Sequence, residues 1–246
     1  MNRPLIIYGL GRLAREMHRA VTEEHARQVA AFTVDRAYLA GERAGGKPAA
    51  AFGDKLVGAF ADEPPLAFEG KPLVAFEEVE RLYPPDQYDL LVLIGYRRMR
   101  SRREMFARAK AKGYRLPNLI APGARLASSV AMGENNVIGE LVYIGDDAQL
   151  GDNVLIRPLT HIGHETRIGS HSFIAPGAAI ASACRIGELC YLGIGATVIE
   201  KVALGDETLV AAGAVVTADA APCTQLAGNP ARPVGEHAQT GIMILR

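Results

Sequence analysis

Between residues 120 and 216 every sixth residue of the chain is aliphatic: Ile120, Leu126, Met132, Ile138, Ile144, Leu150, Ile156, Ile162, Ile168, Ile174, Ile180, Ile186, Leu192, Val198, Leu204, Val210 and Val216. The residue four places after each is small or β-branched in nearly every hexad, as at Val142, Ala148, Val154, Thr160, Thr166, Ser172 and Ala178, with Asn136 the polar exception. This fifth place and the next first place lie two residues apart, the spacing of strand alternation, so both side chains point to one face. A helix is excluded, because apolar residues six apart drift round its surface instead of holding a stripe. The second place is Gly in 9 of the 17 hexads (Gly133, Gly139, Gly145, Gly151, Gly163, Gly169, Gly187, Gly193 and Gly205) and the third is often Asp, Glu or Ser. Such residues tolerate tight bends, so each hexad reads as a short strand followed by a corner. No single repeat can bury its own apolar side, and stacking into a β-solenoid must supply the core.

The period changes upstream. Residues 4–8 read as a buried strand, 11–25 as a helix and 29–34 as a second strand ending at Asp35, a β-α-β start. Further on, 72–76 and 89–94 are strand-like, 77–83 helical, and 99–112 a helix ended by Gly113. The stretch 36–71, with its Gly, Ala and Pro clusters, is long for a connection and reads as an irregular insertion without chemistry of its own. Two domains follow, 1–118 as a small Rossmann-like parallel α/β sheet and 119–246 as the solenoid with a C-terminal tail.

A formal net charge of zero and 6% aromatic residues give no nucleic-acid footprint and no basic membrane face. No apolar run is long enough to span a bilayer, and the N-terminal residues enter a strand without the segments of a signal peptide, so a cytoplasmic location is expected. Three cysteines make no even framework, and Cys184 and Cys190 fall on the small inward place of adjacent hexads, as compact fillers.

The turn after the first strand, G-L-G-R-L-A from Gly9 through Gly11, approximates the fingerprint in which glycines let backbone approach a phosphate at a helix N-terminus. Asp35 ends the second strand, where such folds hydrogen-bond a ribose or a base. A tight strand-to-helix turn in a domain that only packs is the plainer alternative. A full dinucleotide site is disfavoured, because the domain ends too early for two β-α-β halves.

Hexads such as I-G-D-D-A-Q, L-G-D-N-V-L and I-G-H-E-T-R resemble those of the hexapeptide acyltransferases. With the short α/β domain ahead of them, almost the whole chain is similar to the bacterial sialic-acid O-acetyltransferase and bacillosamine or perosamine N-acetyltransferase family. The resemblance implies a left-handed triangular β-helix with three hexads per coil, five to six coils for this chain, and a homotrimer. It also implies a nucleotide-linked sugar as acceptor, with Gly9, Gly11, Asp35, Gly95 and Tyr96 at matching positions. Arg97, Arg98, Arg100, Arg102 and Arg103 open a helix as a largely solvated face, with Arg103 the one to reach a phosphate. Acetyl-CoA is the implied acyl donor, carried by V-A-A-G-A-V (Ala211, Ala212, Gly213) and A-G-N-P-A-R (Gly228, Asn229, Pro230, Arg232) in a groove between neighbouring prisms.

Of the six histidines, His18, His25, His171 and His237 read as surface residues. His161 and His164, in T-H-I-G-H-E-T-R, point away from the prism interior. The family's H-D or H-E dipeptide falls on His164 and Glu165 and implies a general base with its orienting carboxylate. An imidazole, with an ordinary pKa near 6.5, can take the proton an attacking nucleophile loses. One coil below His164 lies Asp146, a second candidate to orient the ring, and one coil above lies Ser182, whose N–H could hold the thioester oxyanion. The family commonly has Gly there, which leaves the size of the acyl group open. His161 either contacts the acceptor sugar or flanks the base. No Cys or Ser occupies a nucleophile motif, so direct transfer with sequential kinetics is expected. The leading reading is N-acetylation of an amino sugar; O-acetylation of a sialic-acid-like acceptor uses the same groups. A zinc hydratase on the same prism would need His161, His164 and His171, whose spacing does not fit, and no metal is expected. A scaffold that only binds is the third class.

Overall fold

Seventeen two-residue strands, from Leu119–Ile120 to Val215–Val216, recur at the hexad period, and the second residue of each is the aliphatic one of the pattern. Each pairs in parallel with the strand three hexads on, as Tyr143 with His161 and Ile144 with Ile162. Three strands complete one coil of a left-handed parallel β-helix, so 17/3 gives five full coils and two-thirds of a sixth. The computed structural model describes residues 3–39 and 66–244. Most of the unassigned stretch expected at 36–71 therefore lies outside the described residues.

The prism has three faces. The first begins with Leu119–Ile120, the second with Arg125–Leu126 and the third with Ala131–Met132. Its interior is a continuous aliphatic column running from Ile138 to Val216, each first-place side chain resting on the one a coil away. At about 25 cal/mol per Å2 of apolar surface, this shared burial is what an isolated two-residue strand lacks. The polar fifth places accept hydrogen bonds through the same stacking, although Asn136 Nδ2 is buried without a partner among the described residues. Asn136 Oδ1 accepts the Val154 N–H at 2.7 Å, and Ser172 Oγ accepts that of Cys190 at 3.0 Å. Cys184 and Cys190 are fully buried fillers, and burial pushes the Cys190 thiol up to about 12.

The second-place glycines owe their identity to crowding and not, as the sequence suggested, to bending. None of the nine has a positive φ. A Cβ on Gly163 would lie 2.6 Å from the Ser182 nitrogen of the next coil. The left-handed bend falls instead at the fourth place, where even Leu141, Glu165 and His171 take φ between 55° and 66°.

In the N-terminal sheet, β1 (Leu5–Tyr8) is an interior strand, flanked in parallel by β2 (Val29–Val34) and the strand Asp89–Val92. The strand Lys71–Ala75 extends the sheet in parallel beyond β2, and Ala67–Phe68 closes it antiparallel. Chain order therefore reverses beside β1, the switch point where α/β sheets receive ligands. The first helix is shorter than its pattern: α1 (Arg12–Arg19) gives way to a wider turn over Ala20–Glu24. Buried Asp89 is neutralised by Arg27 and by a two-pronged contact from Arg115. Among the described residues no helix is long and apolar enough to cross a membrane.

The chain divides into two compact units, and Gly95–Phe106 belongs with the second. The reason is contact with the solenoid. Tyr96 packs on Phe173 and Tyr191, and Phe106 meets His171 edge to face at 5.4 Å. Arg102 is buried, donating to the backbone carbonyls of His171 (3.1 Å) and Asn153 (2.6 Å). His171 is consequently buried, against the expectation of a solvated corner, with Nδ1 3.1 Å from Asn153 Nδ2. His237 is buried too, with Nε2 2.6 Å from the Glu207 carbonyl.

Burial first, then Arg102 and Arg103, push His171 down to about 4, opposed by Asp152. The folded state therefore holds the ring neutral where the unfolded chain would protonate it, so this contribution is complete above pH 6.5 and is lost as pH falls from 6.5 towards 4. Thermal unfolding of wild type and His171→Gln across that range should show their difference in Tm shrinking as pH falls; a constant difference would refute the assignment.

Candidate active site

At four corners of the prism the third-place N–H donates to the third-place side chain one coil on. Glu134 donates to Asp152 Oδ1 at 2.7 Å, Asp152 to Ser170 Oγ at 3.0 Å and Glu188 to Asp206 Oδ1 at 2.8 Å. On the edge between the second and third faces the third places are Ser128, Asp146, His164, Ser182 and Glu200. There the Asp146 N–H meets His164 Nδ1 at 3.0 Å, and above it the pattern stops. Neither His164 nor Ser182 has an acceptor for its N–H among the described residues. One coil corner thus presents an imidazole and, a coil above it, an unused backbone donor.

The ring is half-exposed, with Nδ1 also 3.3 Å from Asp146 Oδ2. The two Asp146 contacts compete. The backbone N–H needs a lone pair on Nδ1, whereas the carboxylate needs a proton there and leaves the Nε2 lone pair free. Once Nε2 gains a proton, only the carboxylate contact is favourable. Asp146 Oδ1 lies 3.5 Å from Ser129 Oγ, which also accepts the Asp147 N–H at 2.9 Å. Glu165 takes the left-handed bend and donates its backbone N–H to the Asp146 carbonyl at 2.8 Å. Among the described residues its carboxylate makes no hydrogen bond to the ring. The carboxylate beside the ring is therefore that of Asp146, the second of the two read from the sequence.

His161 lies outward on the second face, stacked on Tyr143 with centroids 5.0 Å apart and planes within 12°. Ala179 follows His161 in the same column and leaves space above it. His171 stands on the edge between the third and first faces, so the three histidines of the zinc alternative do not converge. Among the described residues no group of three or more His, Cys, Asp and Glu could hold a metal.

In the first unit, a Cβ on Gly9 would come 2.8 Å from the Leu93 carbonyl, so glycine lets β1 and the neighbouring strand end side by side. Gly11 has open space around it and caps α1 without a side-chain hydrogen bond. Asp35 is no open ligand: it is buried, accepts from the Tyr8 hydroxyl and pairs with Arg108 at 2.9 Å. Burial and the neighbouring Asp35 raise the Tyr8 hydroxyl far above its ordinary range, keeping it a donor. Gly95 and Tyr96 are exposed on the second unit. Arg103 is also exposed; Arg102, which the sequence did not single out, is buried, and Arg100 pairs with Glu207.

Ala211, Ala212 and Gly213 form the last corner between the first and second faces, a different edge from that of His164. Ala212 and Gly213 are exposed there. Gly228, Asn229 and Pro230 make the turn between Thr224–Gly228 and the antiparallel Ala231–Glu236. Arg232 is exposed, with Nη1 donating to the Ala231 carbonyl at 2.9 Å.

Residues 147–182 match the family model of the bacterial transferase hexapeptide (six repeats). No curated protein matches the chain. Among solved structures, PerB of Caulobacter crescentus in complex with CoA and GDP-perosamine is 27% identical, covering 94% of this chain and 97% of its own, with a TM-score of 0.76. The acetyltransferase domain of PglB from Neisseria gonorrhoeae, in complex with acetyl coenzyme A, is 24% identical over 95% of this chain and 100% of its own (TM-score 0.75). WeeI from Acinetobacter baumannii is 19% identical over 94% and 99% (TM-score 0.74). The last two show likeness of fold alone.

The site makes a prediction that needs no substrate. Nitrogen-15 NMR of the His164 ring should show its tautomer balance altered in Asp146→Asn and unaltered in Glu165→Gln; the reverse pattern would return the orienting role to Glu165.

Proposed function

We propose that this chain, a hexapeptide-repeat acyltransferase with the fold of the sugar acetyltransferases, moves the acetyl group of acetyl-CoA onto the amine of a nucleotide-linked sugar. The observation that carries the reading is the one corner where His164, held by Asp146, stands below the unused N–H of Ser182. Similarity to PerB over nearly the whole chain, an enzyme solved with CoA and GDP-perosamine, supports the substrate classes.

The acceptor's neutral amine attacks the thioester carbonyl. As the N–C bond forms, His164 Nε2 takes the amine proton and Asp146 stabilises the imidazolium through Nδ1. The carbonyl oxygen becomes negative and receives the Ser182 N–H. Collapse breaks the C–S bond, and the leaving thiolate takes the proton from His164, giving CoA thiol and the amide. No acyl-enzyme is needed, and the buried thiols of Cys184 and Cys190 supply none. Both substrates are bound together.

Ala211, Ala212, Gly213, Gly228, Asn229, Pro230 and Arg232 line the donor groove in this reading. They lie on a different prism edge from His164, so the base of one protomer serves the groove of the next and the enzyme is a homotrimer. Residues 1–118 hold the nucleotide, with Gly9 and Gly11 at the switch point and Asp35 bracing Tyr8 and Arg108. Gly95, Tyr96, Arg103 and His161, all in the second unit, are the other acceptor residues in this reading.

Free-thiol release from acetyl-CoA, followed against dTDP-, UDP- and GDP-linked amino sugars and their hydroxyl counterparts, tests the proposal. Turnover with an amino sugar, intersecting initial-rate lines, and a loss of about 10² to 10⁴ in kcat for His164→Ala are expected. Ping-pong kinetics, or reaction only with hydroxyl acceptors, would overturn it.

A further inference from the structure

The sixth place of each hexad points outward from a face, and among all the side chains there only Arg125, Arg167 and Arg185 are charged. Arg167 and Arg185 are direct partners on adjacent parallel strands of the third face. Adjacent strands run about 4.8 Å apart, and like charges set opposite each other destabilise a sheet. Both are exposed, and among the described residues neither guanidinium has a hydrogen bond or ion pair. No acidic side chain occupies any outward face position to offset them. Each arginine also stands three places beyond a group of the site, Arg167 after His164 and Arg185 after Ser182. A segment of that length spans at most about 10 Å, so both can reach an anion beside the reacting centre.

We propose that Arg167 and Arg185 form a clamp for a diphosphate, that of the nucleotide-linked acceptor. Two adjacent guanidinium forks match a diphosphate in charge and in bidentate geometry. Both substrates of the reaction proposed above, on which this inference rests, carry phosphates. They differ in where. An amino sugar nucleotide has its diphosphate one sugar ring from the amine, whereas acetyl-CoA has its phosphates at the far end of the pantetheine arm. An anion site next to His164 and Ser182 therefore fits the acceptor.

The test uses Arg167→Gln, Arg185→Gln, the double variant and Arg→Lys at each position in the full-length protein. Calorimetric titration with inorganic pyrophosphate at low ionic strength should show affinity about tenfold weaker in each Gln variant and about a hundredfold weaker in the double, with Lys retaining part. Acceptor KM should rise in parallel while kcat and acetyl-CoA KM hold. Thermal stability should hold or rise, since a like-charge contact is removed. A rise in acetyl-CoA KM alone would assign the pair to the donor and overturn the proposal. Unchanged pyrophosphate affinity with a fall in oligomer mass would make the pair an intersubunit contact and overturn it as well. If no sugar nucleotide reacts at all, the transfer reading fails, while pyrophosphate titration still reports on the clamp.

Discussion

Stacking of each residue on its counterpart one coil away is the constraint on which everything else in this protein depends. A two-residue strand has no stability of its own; it exists because its N–H and C=O groups and its aliphatic side chain all find partners in the next coil, as Tyr143 and Ile144 do in His161 and Ile162. The same closeness explains the second-place glycines, where a Cβ would run into the next coil's backbone. It also accounts for Asn136 and Ser172, inward polar groups that serve N–H donors one coil on.

The site arises where this bonding is interrupted. Several corner donors elsewhere, at Glu134, Asp152 and Glu188, are satisfied by the side chain above them, and on the edge carrying His164 the Asp146 N–H is too. From there the chain supplies an imidazole in place of a short acceptor, then Ser182, which accepts nothing from below. A rigid stack thereby sets an imidazole and a free donor about one coil spacing apart, which in the proposed reaction is the preorganisation of base and oxyanion site. The buried Arg102 and His171 on another edge show the opposite outcome, with corner positions absorbed into packing against Gly95–Phe106.

The repeat was legible because a period of six with an aliphatic first place has one structural solution, and each expected strand position carries a strand. The β-α-β start was legible for the same reason, with Val29–Val34 matching its pattern residue for residue. Long-range burial was not. His171 looks like any corner residue, and only contact with Phe106, Asn153 and Arg102 makes it a core histidine. Asp35 sits where a ribose ligand would, yet Arg108, far along the chain, takes its carboxylate. The order of Glu165 and Asp146 was likewise undetermined by spacing, because it depends on which carboxylate a left-handed bend turns aside.

In the proposed trimer His164 and the proposed donor groove, on different edges of one prism, meet only between protomers. Heterotrimers formed from equal amounts of His164→Ala and Ala212→Trp chains test it most directly by acetyl-transfer rate. Each variant alone should be inactive, and random mixing should restore about a quarter of the wild-type sites, since half the bases and half the grooves are intact. Mixed trimers no more active than the separate variants would place the whole site within one chain and contradict the account.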